Sequence, residues 1–563
     1  MTVAELIIKA LEQEEVKFVF GVPGEETEAL LFALEKSSIL FVPTRHEQGA
    51  AFMADMYGRI TGKAGVCLST LGPGATNLMT GIADAFLDKA PLVAITAQAD
   101  SERVHKESHQ LLDIVNMFKS ITKWNASINN PETVQEIVRK AFKLAQTEKP
   151  GPTHIEVPED MAHEEVSDAI LRPAKVRRPA PDYHAIQQAM ELLRSSQAPV
   201  ILAGNGAIRK RASKQLREFV KLSDIPVVST FMGKGALDDR DSHSLHAIGM
   251  IGRDFPVCLM ERSDLVITVG YDIGEYDPQN WNQGTEKKII HIDFNESEVY
   301  ESYQPSVEII ADISASLWAI NAVMRAEKLS FHPTWFADLR KAQLADFNSY
   351  QLKNGGSFTV PGVLPMIRQL MDPGDILISD VGSHKMWIGR NYPTYEPNSV
   401  FISNGLATMG IALPGGLAAK LARPEKRVVA VMGDGGFLMN VQEIETAKRI
   451  GVGFPILIFN DNDYGLISWK QESHSGRSFG TNLTNPNYVE LARAFSIKGY
   501  APQNRDELQT VLSKVIQDQE LCLVEIPVDP DVNQQLTKKL NKNFCQRFEF
   551  PLLTKERTDI ESN

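Results

Sequence analysis

The chain of 563 residues repeats one pattern: a short run of apolar, β-favouring residues, a glycine-bearing turn, and then apolar residues at helical spacing. Most of the apolar runs are continuous, which is typical of parallel strands covered on both faces. Strands that alternate with helices predict doubly wound α/β sheets. The predicted strands are residues 18–20, 65–71, 92–97, 153–157, 200–203, 227–230, 265–269, 289–292, 376–379, 428–431, 456–459 and 522–526.

Two segments have the composition of linkers. Residues 172–181 are rich in proline and basic side chains, and residues 351–357 are polar and contain glycine. We therefore expect an α/β protein with three doubly wound parallel-sheet domains and a tail. The tail is polar, with Phe544, Phe548 and Phe550 interspersed, and it could cover a neighbouring surface or be partly mobile. The expected segments are 1–170, 182–345, 357–530 and the tail 531–563.

Composition and charge narrow the class of protein. The chain is 43% hydrophobic, yet it has no run of eighteen or more apolar residues, so we expect no transmembrane helix. The amino terminus lacks the basic start and cleavage site of a signal peptide. A net charge of −13 argues against a general nucleic-acid binder. No cysteine forms a CxxC or CxxH pair, so we expect neither a zinc site nor a disulfide, and a reducing cytoplasmic location. The cysteines are Cys67, Cys258, Cys522 and Cys545.

The most informative segment runs from residue 428 to residue 465. An apolar strand is followed by the turn Gly433-Asp434-Gly435-Gly436 and by apolar residues at helical spacing, an arrangement that lets backbone N–H groups approach a phosphate. A second apolar strand ends in Asn460-Asp461-Asn462-Asp463. Because neighbouring parallel strands end at one edge of a sheet, Asp434 and Asp461 can meet at one Mg²⁺ ion. The alternative is two surface loops that happen to be rich in Asp and Gly.

GDG followed at this spacing by an Asn-Asp pair resembles the thiamine diphosphate binding motif of thiamine-dependent enzymes. The resemblance implies that Asp434 and Asp461 are side-chain ligands of Mg²⁺ and that Asp463 gives its backbone carbonyl, where the family often has glycine. The loop of residues 380–387 resembles the family's second diphosphate-contact loop. The implied cofactor-binding residues are Pro23, Gly24, Glu47, Thr70, Asn77, Gly382, Ser383, His384, Ala407, Met409, Gly433, Asp434, Gly435, Gly436, Asp461, Asp463, Tyr464, Gly465 and Leu466.

The cofactor's pyrimidine end is expected at the segment RHEQGAAFMADMYGRITGKAGVC, which begins at Arg45. This segment closely resembles the pyrimidine-binding domain of the acetohydroxyacid synthase group, in which the matching glutamate, Glu47 here, activates the cofactor. Judged alone, Glu47 could equally be a helix-start glutamate favoured by the helix dipole. In the segment 404–410, the resemblance implies that Met409 supports the bent cofactor and that the Ala407 carbonyl accepts from its amino group.

The residues His109-Gln110 bear on the reaction. Decarboxylases of the family carry paired histidines here, which suit proton delivery, whereas the neutral amide of Gln110 orients an acceptor without readily giving a proton. His-Gln and the segment 270–278 resemble the flavin-free, catabolic type of acetolactate synthase, although a polar helix start would also explain His109 and Gln110. The GxG at residues 204–206 is an incomplete dinucleotide fingerprint, so we expect no tightly bound FAD, although the segment 230–235 also occurs in flavin-containing relatives.

The expected function is that of an acetolactate synthase-like carboligase, which decarboxylates pyruvate and adds the two-carbon unit to a second 2-oxo acid. The catalytic candidates are Glu47, Gln110, His109 and Glu25. Glu25 also favours the main alternative, a 2-oxo acid decarboxylase that releases an aldehyde. A silent cofactor-binding protein and a hydride-transferring enzyme are the remaining alternatives. Because Glu47 and Asp434 lie in different domains, the resemblance implies a homodimer as the minimum, with a homotetramer expected. From the net charge and the lack of a long apolar run we expect no nucleic-acid or membrane partner.

Overall fold

The computed structural model describes residues 1–167, 171–173, 178–209, 211–250, 252–283, 287–331, 334–353 and 355–548. Contacts group the chain into two compact units, each described separately below. The larger unit comprises Met1–Arg177, Leu352–Ile388 and Asn398–Val532, and the smaller unit comprises Arg178–Gln351, Gly389–Pro397 and Asn533–Asn563. Residues 174–177 and 354 of the predicted linkers and residues 549–563 of the tail, with Phe550, lie outside the described residues.

The first sheet of the larger unit has six parallel strands in the order β2-β1-β3-β4-β6-β5. Its strands are β1 (Phe18–Gly21), β2 (Leu40–Pro43), β3 (Gly65–Ser69), β4 (Leu92–Gln98), β5 (Trp124–Ser127) and β6 (Pro152–Pro158). Its helices are α1 (Val3–Gln13), α2 (Glu28–Glu35), α3 (Glu47–Thr61), α4 (Pro73–Leu87), α5 (Ile114–Phe118), α6 (Val134–Gln146) and α7 (Glu159–His163).

The sheet of the smaller unit is also parallel, in the order β12-β11-β10-β7-β8-β9. Its strands are β7 (Pro199–Ala203), β8 (Val227–Ser229), β9 (Ser244–Ala247), β10 (Leu265–Val269), β11 (Lys288–Asp293) and β12 (Val307–Ile310). Its helices are α8 (Tyr183–Ser195), α9 (Ala212–Ser223), α10 (Phe255–Arg262), α11 (Ile313–Glu327) and α12 (Thr334–Asn348).

The third sheet, in the larger unit, has the order β14-β13-β15-β16-β18-β17. Its strands are β13 (Ile376–Ser379), β14 (Val400–Ile402), β15 (Val428–Gly433), β16 (Pro455–Asn460), β17 (Lys498–Tyr500) and β18 (Cys522–Pro527). The helices along this part of the chain are α13 (Val360–Leu370), α14 (Ser383–Asn391), α15 (Ala412–Ala422), α16 (Asp434–Phe437), α17 (Glu443–Arg449), α18 (Gly465–Ser475), α19 (Tyr488–Ala494), α20 (Arg505–Asp518) and α21 (Asp531–Lys539).

The first and third sheets share one apolar core. Buried residues of α3, α4 and α15 pack together with strand residues from both sheets. The close approach of α3 and α4 needs small side chains, since a Cβ on Gly81 would lie 2.5 Å from the Cβ of Ala51. The opposite face of the first sheet is covered by α1, α2 and α6 in a separate apolar cluster.

The expected fold, three doubly wound parallel sheets, is confirmed by this topology. All twelve predicted strands are present, with ends that shift by at most two residues. The helix predicted directly after the Gly433–Gly436 turn is different: the turn itself forms the short helix α16, and the longer helix α17 begins at Glu443. Across the described residues, no helix combines the length and the apolar character needed to cross a membrane.

The expectation that no disulfide forms is wrong. Cys258 of α10 is bonded to Cys545 in a short 3₁₀ helix near the end of the described chain, and both belong to the smaller unit. The two cysteines are 287 residues apart, so no spacing motif reveals that the fold brings their Cα atoms within 5.2 Å. Cys67 and Cys522 are buried free thiols. Beside this bond, Phe544 packs edge-on against Phe255 and Phe548 packs against it at a tilt, so this part of the tail covers a surface of its own unit.

Candidate active site

A buried glutamate marks the carboxyl edge of the first sheet. Glu47 is the first residue of α3, and the Nδ1 atom of His46 caps that helix by accepting the N–H of Gln48 at 3.1 Å. The Glu47 side chain is 8% exposed, and its Oε2 accepts a hydrogen bond of 2.9 Å from the Asn77 side-chain amide. Glu47 is therefore a fixed, buried carboxyl and differs from a solvated helix-start glutamate.

The loops that follow β1 and β3 meet near Glu47. Because the two strands are neighbours and parallel, their loops leave from one edge of the sheet. A Cβ on Gly24 would lie 2.8 Å from Thr70 Oγ1. Gly72 has a φ of +49°, and a Cβ there would lie 2.6 Å from the backbone oxygen of Gln110. We call Gly24, Thr70, Gly72, Gln110 and Asn77 the N-terminal cluster.

Several predicted residues at this edge have exposed side chains. Gln110 lies in a turn before α5 and has a φ of +57°. The alternative that His109 and Gln110 form a polar helix start is therefore wrong. The backbone oxygen of His109 accepts a hydrogen bond from Arg103 at 3.2 Å. Glu25 lines a surface groove with Gly24 and Glu159. The exposed side chains are Pro23, Glu25, His109 and Gln110.

Two aspartates meet at the carboxyl edge of the third sheet. Asp434 follows β15, Asp461 follows β16, and their carboxyl groups are within hydrogen-bonding distance of each other. Burial, together with the charges of Asp434 and Asp463, raises the pKa of Asp461 to about 7. The side-chain amide of Asn485 donates to Asp434 Oδ2 at 2.6 Å and to Asn460 Oδ1 at 3.1 Å. We call these residues the C-terminal cluster.

The C-terminal cluster fits a divalent cation. Two adjacent carboxyl groups repel each other when both are ionised, and a cation between them would remove that cost. No group of three or more His, Cys, Asp or Glu side chains in the described chain is arranged to hold a metal. Mg²⁺ does not need such a group, because it commonly binds one or two carboxylates together with phosphate oxygens and water. The Asp434–Asp461 pair therefore suits Mg²⁺ held together with a phosphate group.

The residues around this pair fit a diphosphate. His384 is buried, and its Nε2 has no hydrogen-bond partner in the described chain. Burial lowers the pKa of His384 to about 4, so the ring is neutral at pH 7. A Cβ on Gly433 would lie 3.2 Å from this ring, and one on Gly465 would lie 3.3 Å from Ser383 Oγ. The glycines leave open backbone beside an unsatisfied donor or acceptor, which is the kind of surface that a phosphate can occupy.

Five more predicted residues surround the same place. A Cβ on Gly435 would lie 2.8 Å from the ring of Tyr464, and Leu466 is the second residue of α18. A Cβ on Gly436 would lie 3.0 Å from the Asp380 carboxylate. A Cβ on Gly382 would lie 2.8 Å from the His384 ring. The loop of residues 380–387 and the turn at α16 are therefore in contact.

The loop that contains Ala407 and Met409 connects both clusters. Ala407 has a φ of +56°, a left-handed conformation that is uncommon outside glycine. The N–H of Gly410 donates to Asp380 Oδ1 at 2.8 Å. The side-chain amide of Asn440 donates to the Gly410 carbonyl and to Gln48 Oε1, each at 3.0 Å. The residue after Glu47 is thus linked to the residue after Met409.

Four residues that make contacts around the site were not predicted from the sequence. They are Asp380, Glu443, Asn440 and Asn485. Asp380 begins the loop of residues 380–387, and its position directly after a strand is the one sequence signal that could have identified it. Glu443 accepts the N–H groups of Arg45 and His46 at 3.1 Å. Asn440 and Asn485 belong to no motif, because their roles depend on contacts between distant segments.

Comparisons with known proteins agree with this geometry. Residues 1–117 match the N-terminal thiamine pyrophosphate binding domain of thiamine pyrophosphate enzymes, 186–320 match their central domain, and 380–526 match their C-terminal thiamine pyrophosphate binding domain. The two clusters lie in the two binding domains. The fold and the matched domains define a thiamine diphosphate-dependent enzyme.

Similar proteins show to which family of thiamine diphosphate-dependent enzymes the chain belongs. A probable acetolactate synthase large subunit of Methanocaldococcus jannaschii is 34% identical over 94% of this chain and 92% of its own length. The acetolactate synthase of Bacillus subtilis is 32% identical over 96% of both chains. The catabolic acetolactate synthase of Raoultella terrigena is 31% identical over 96% of this chain and 97% of its own. The chain belongs to the acetolactate synthase family of thiamine pyrophosphate enzymes.

Proposed function

We propose that this enzyme is an acetolactate synthase, which converts two molecules of pyruvate into 2-acetolactate and CO₂. The observation that carries the proposal is that one chain holds both a buried Glu47 bonded to the Asn77 amide and two neighbouring aspartates, Asp434 and Asp461. Membership of the acetolactate synthase family over nearly the full length supports the choice of reaction.

Separate groups of residues would bind the diphosphate end and the pyrimidine end of the cofactor. When bound, thiamine diphosphate supplies a nucleophilic carbon and an electron sink for the decarboxylation of a 2-oxo acid. The side chains of Asp434 and Asp461 and the carbonyl of Asp463 would hold Mg²⁺ and, through it, the diphosphate. Asn485 keeps Asp434 oriented by its hydrogen bond of 2.6 Å. Glu47 would hold a proton against the pyrimidine ring, in a site from which water is largely excluded.

The second substrate distinguishes a ligase from a decarboxylase. The Gln110 amide can orient an acceptor 2-oxo acid by hydrogen bonds, yet it cannot readily protonate the carbon that must form the new bond. Glu25 is the opposing feature, since a carboxyl near the site could deliver that proton and release an aldehyde. Its exposed position in a groove with Glu28 and Glu159 favours a surface role.

We propose further that two chains share each site, in a homodimer or a homotetramer. Apolar side chains within three residues of the proposed cofactor-binding residues are exposed, and such side chains are commonly covered by a partner. They are Leu438 at 39%, Met439 at 43% and Ile467 at 48% exposure. We also propose that the enzyme works without bound FAD.

Product analysis tests this function. Purified protein supplied with thiamine diphosphate, Mg²⁺ and pyruvate should form acetolactate and CO₂ in a 1:1 ratio, with acetaldehyde as a trace product. The rate should fall after treatment with EDTA, return with Mg²⁺, and stay unchanged when FAD is added. Acetaldehyde as the sole product would favour the decarboxylase alternative, and a requirement for FAD would contradict the flavin-free proposal.

A further inference from the structure

The sheet of the smaller unit has the strand order of a dinucleotide-binding fold. Counted from its first strand, β7, the order β12-β11-β10-β7-β8-β9 is the arrangement 6-5-4-1-2-3. In such sheets the chain turns to opposite sides after the first and fourth strands, and dinucleotides bind in the crevice between these two carboxyl ends. The crevice expected here lies between the loops after β7 and β10.

A glycine-bearing turn, Gly204-Asn205-Gly206, follows β7 at the place where a phosphate would bind. Its N–H groups already have partners in the protein. Asn205 N–H donates to both carboxylate oxygens of Glu275, at 3.0 and 3.1 Å. Gly206 N–H donates to the Gly270 carbonyl at 2.8 Å, and Ala207 N–H donates to the Gly204 carbonyl at 3.0 Å.

Glu275 spans the crevice from the loop after β10. Its carboxylate also accepts the hydroxyl of Thr230, the residue after β8, and the N–H of Asp272 at 3.2 Å. The end of the second strand is where dinucleotide-binding proteins place the residue that contacts the ribose. The Glu275 carboxylate therefore bonds both the N–H group expected to bind a phosphate and the residue at the position expected to contact the ribose.

The surroundings leave little room beside this carboxylate. Glu275 is buried, and both of its carboxylate oxygens already accept hydrogen bonds from the protein. A Cβ on Gly206 would lie 2.6 Å from the Gly270 Cα, so the loops after β7 and β10 are in direct contact. The long helix α9 begins only at Ala212, after a 3₁₀ segment, and so its positive end is displaced from the turn.

We propose that Glu275 is an internal substitute for a nucleotide phosphate, which closes the dinucleotide crevice of the smaller unit and excludes FAD. The proposal rests on the flavin-free function proposed above and names the residue responsible for it. It implies that removal of one carboxylate exposes a latent site for a nucleotide diphosphate, at which the N–H of Asn205 and the hydroxyl of Thr230 donate to the ligand in place of Glu275.

Titration with FAD and with ADP tests the proposal. Wild type, Glu275→Ala, Glu275→Ser and the control Glu301→Ala, which removes an exposed acid of the same unit, are compared by calorimetry and by flavin fluorescence polarisation. We expect no saturable binding by wild type or the control. The Glu275 variants should bind FAD or ADP at least about tenfold more tightly than wild type. The serine variant retains a hydroxyl acceptor for Asn205 in case the alanine variant does not fold.

Two results would overturn the inference. Wild type that binds FAD as tightly as the variants would mean that Glu275 does not close the crevice. Folded variants that bind neither FAD nor ADP more tightly than wild type would mean that the carboxylate is not the obstacle. Acetolactate formation is measured separately, and it should persist in the Glu275 variants. A failure of the proposed reaction would abolish acetolactate in wild type while leaving the nucleotide titrations readable.

Discussion

Glu443 illustrates how one buried side chain positions a predicted catalytic residue, Glu47. The backbone N–H groups of Arg45 and His46 both donate to its carboxylate, and the hydroxyl of Thr446 donates to it at 2.6 Å. These are the residues that lead into α3, so the position of Glu47 is set by an acceptor almost four hundred residues away in the chain. Burial raises the pKa of Glu443, which indicates how little water reaches this contact.

Glu47→Gln should lower the rate of acetolactate formation by roughly 10²- to 10⁴-fold, because an amide cannot exchange the proton that general acid–base catalysis needs. The binding of thiamine diphosphate should change little, since the amide has nearly the same shape. Steady-state rates and cofactor titration by calorimetry measure the two quantities. The control Glu136→Gln changes an exposed glutamate of α6 and should retain full activity. Unchanged turnover in Glu47→Gln would remove this residue from the mechanism.

The Asp434–Asp461 pair should make Mg²⁺ binding depend on pH. The pKa of Asp461, raised by burial and by its acidic neighbours, is about 7, so below pH 7 a proton competes with the metal for this carboxyl. The Mg²⁺ concentration for half-maximal activity should therefore be nearly constant above pH 8 and should rise by up to about tenfold per unit below pH 7. Titrations from pH 5.5 to 8.5 measure it. A flat profile would exclude Asp461 as a ligand.

At the level of elements, a buried ion network joins α3 and α4 to the loop that contains Ala407 and Met409. Arg59 is paired with Asp55, Asp84 and Asp88 at 2.7 Å each. Asp88 also accepts the N–H groups of Asn404 and Gly405, and Asp84 accepts the hydroxyl of Ser403 at 2.5 Å. The conformation of the loop therefore depends on charges supplied by helices of the first sheet.

Asp88→Asn should destabilise the protein and weaken the support of the cofactor together. The loss of stability should be about 1–3 kcal/mol, because Arg59 keeps Asp55 and Asp84, whereas an amide in place of the Asp88 carboxylate has one acceptor oxygen fewer for the buried N–H groups of Asn404 and Gly405. Chemical denaturation measures this loss, and the thiamine diphosphate concentration for half-maximal activity should rise, a change that a purely structural role elsewhere would not produce. The control Glu15→Gln removes an exposed pair with Lys63 and should change neither quantity. Wild-type cofactor affinity in folded Asp88→Asn would contradict this role.

The strands show which part of the fold was predictable. The twelve predicted strands are the four inner strands of each sheet, and the six missed are the two edge strands of each. Inner parallel strands are covered on all sides and need continuous apolar runs, whereas edge strands are short or partly exposed. β5, for example, has no fully buried residue, and β17 has only three residues.

The residues of the site also divide into those that local sequence predicts and those that it does not. Glu47, Asp434 and Asp461 follow inner strands or begin helices within quoted motifs, so local sequence was enough to select them. Asn440 and Asn485 act by contacts between segments far apart in the chain, which no spacing encodes. The assigned roles, and the domain boundaries at residues 170, 182, 345, 357 and 530, stay predictions.

At the scale of the whole molecule, the disulfide closes the longest covalent loop among the described residues. Joining Cys258 to Cys545 across 287 residues restricts the unfolded chain, and the loss of chain entropy corresponds to about 5.7 kcal/mol. Denatured, unreduced protein should therefore show two reactive thiols, from Cys67 and Cys522, and four after reduction. Reduction should lower the thermal midpoint of wild type and leave that of Cys258→Ser unchanged. Four thiols before reduction would contradict the bond.

The proposed sharing of sites between chains can be tested with hybrids of two inactive variants. If Glu47 of one chain serves the metal pair of the other, a hybrid of Glu47→Gln and Asp434→Asn chains contains one doubly altered site and one intact site. Chains with different affinity tags, co-expressed and purified through both tags, should then recover about half of the wild-type activity per dimer.

The two variants, each purified through both tags as a homodimer, are the controls and should stay nearly inactive. If one chain builds a whole site by itself, every site in the hybrid carries one substitution, and the hybrid should be as inactive as its parents. Recovery therefore depends on geometry between chains and is independent of how severe either substitution is. A hybrid at the parental level, with both chains shown to be present, would place Glu47 and Asp434 of the same chain at one cofactor.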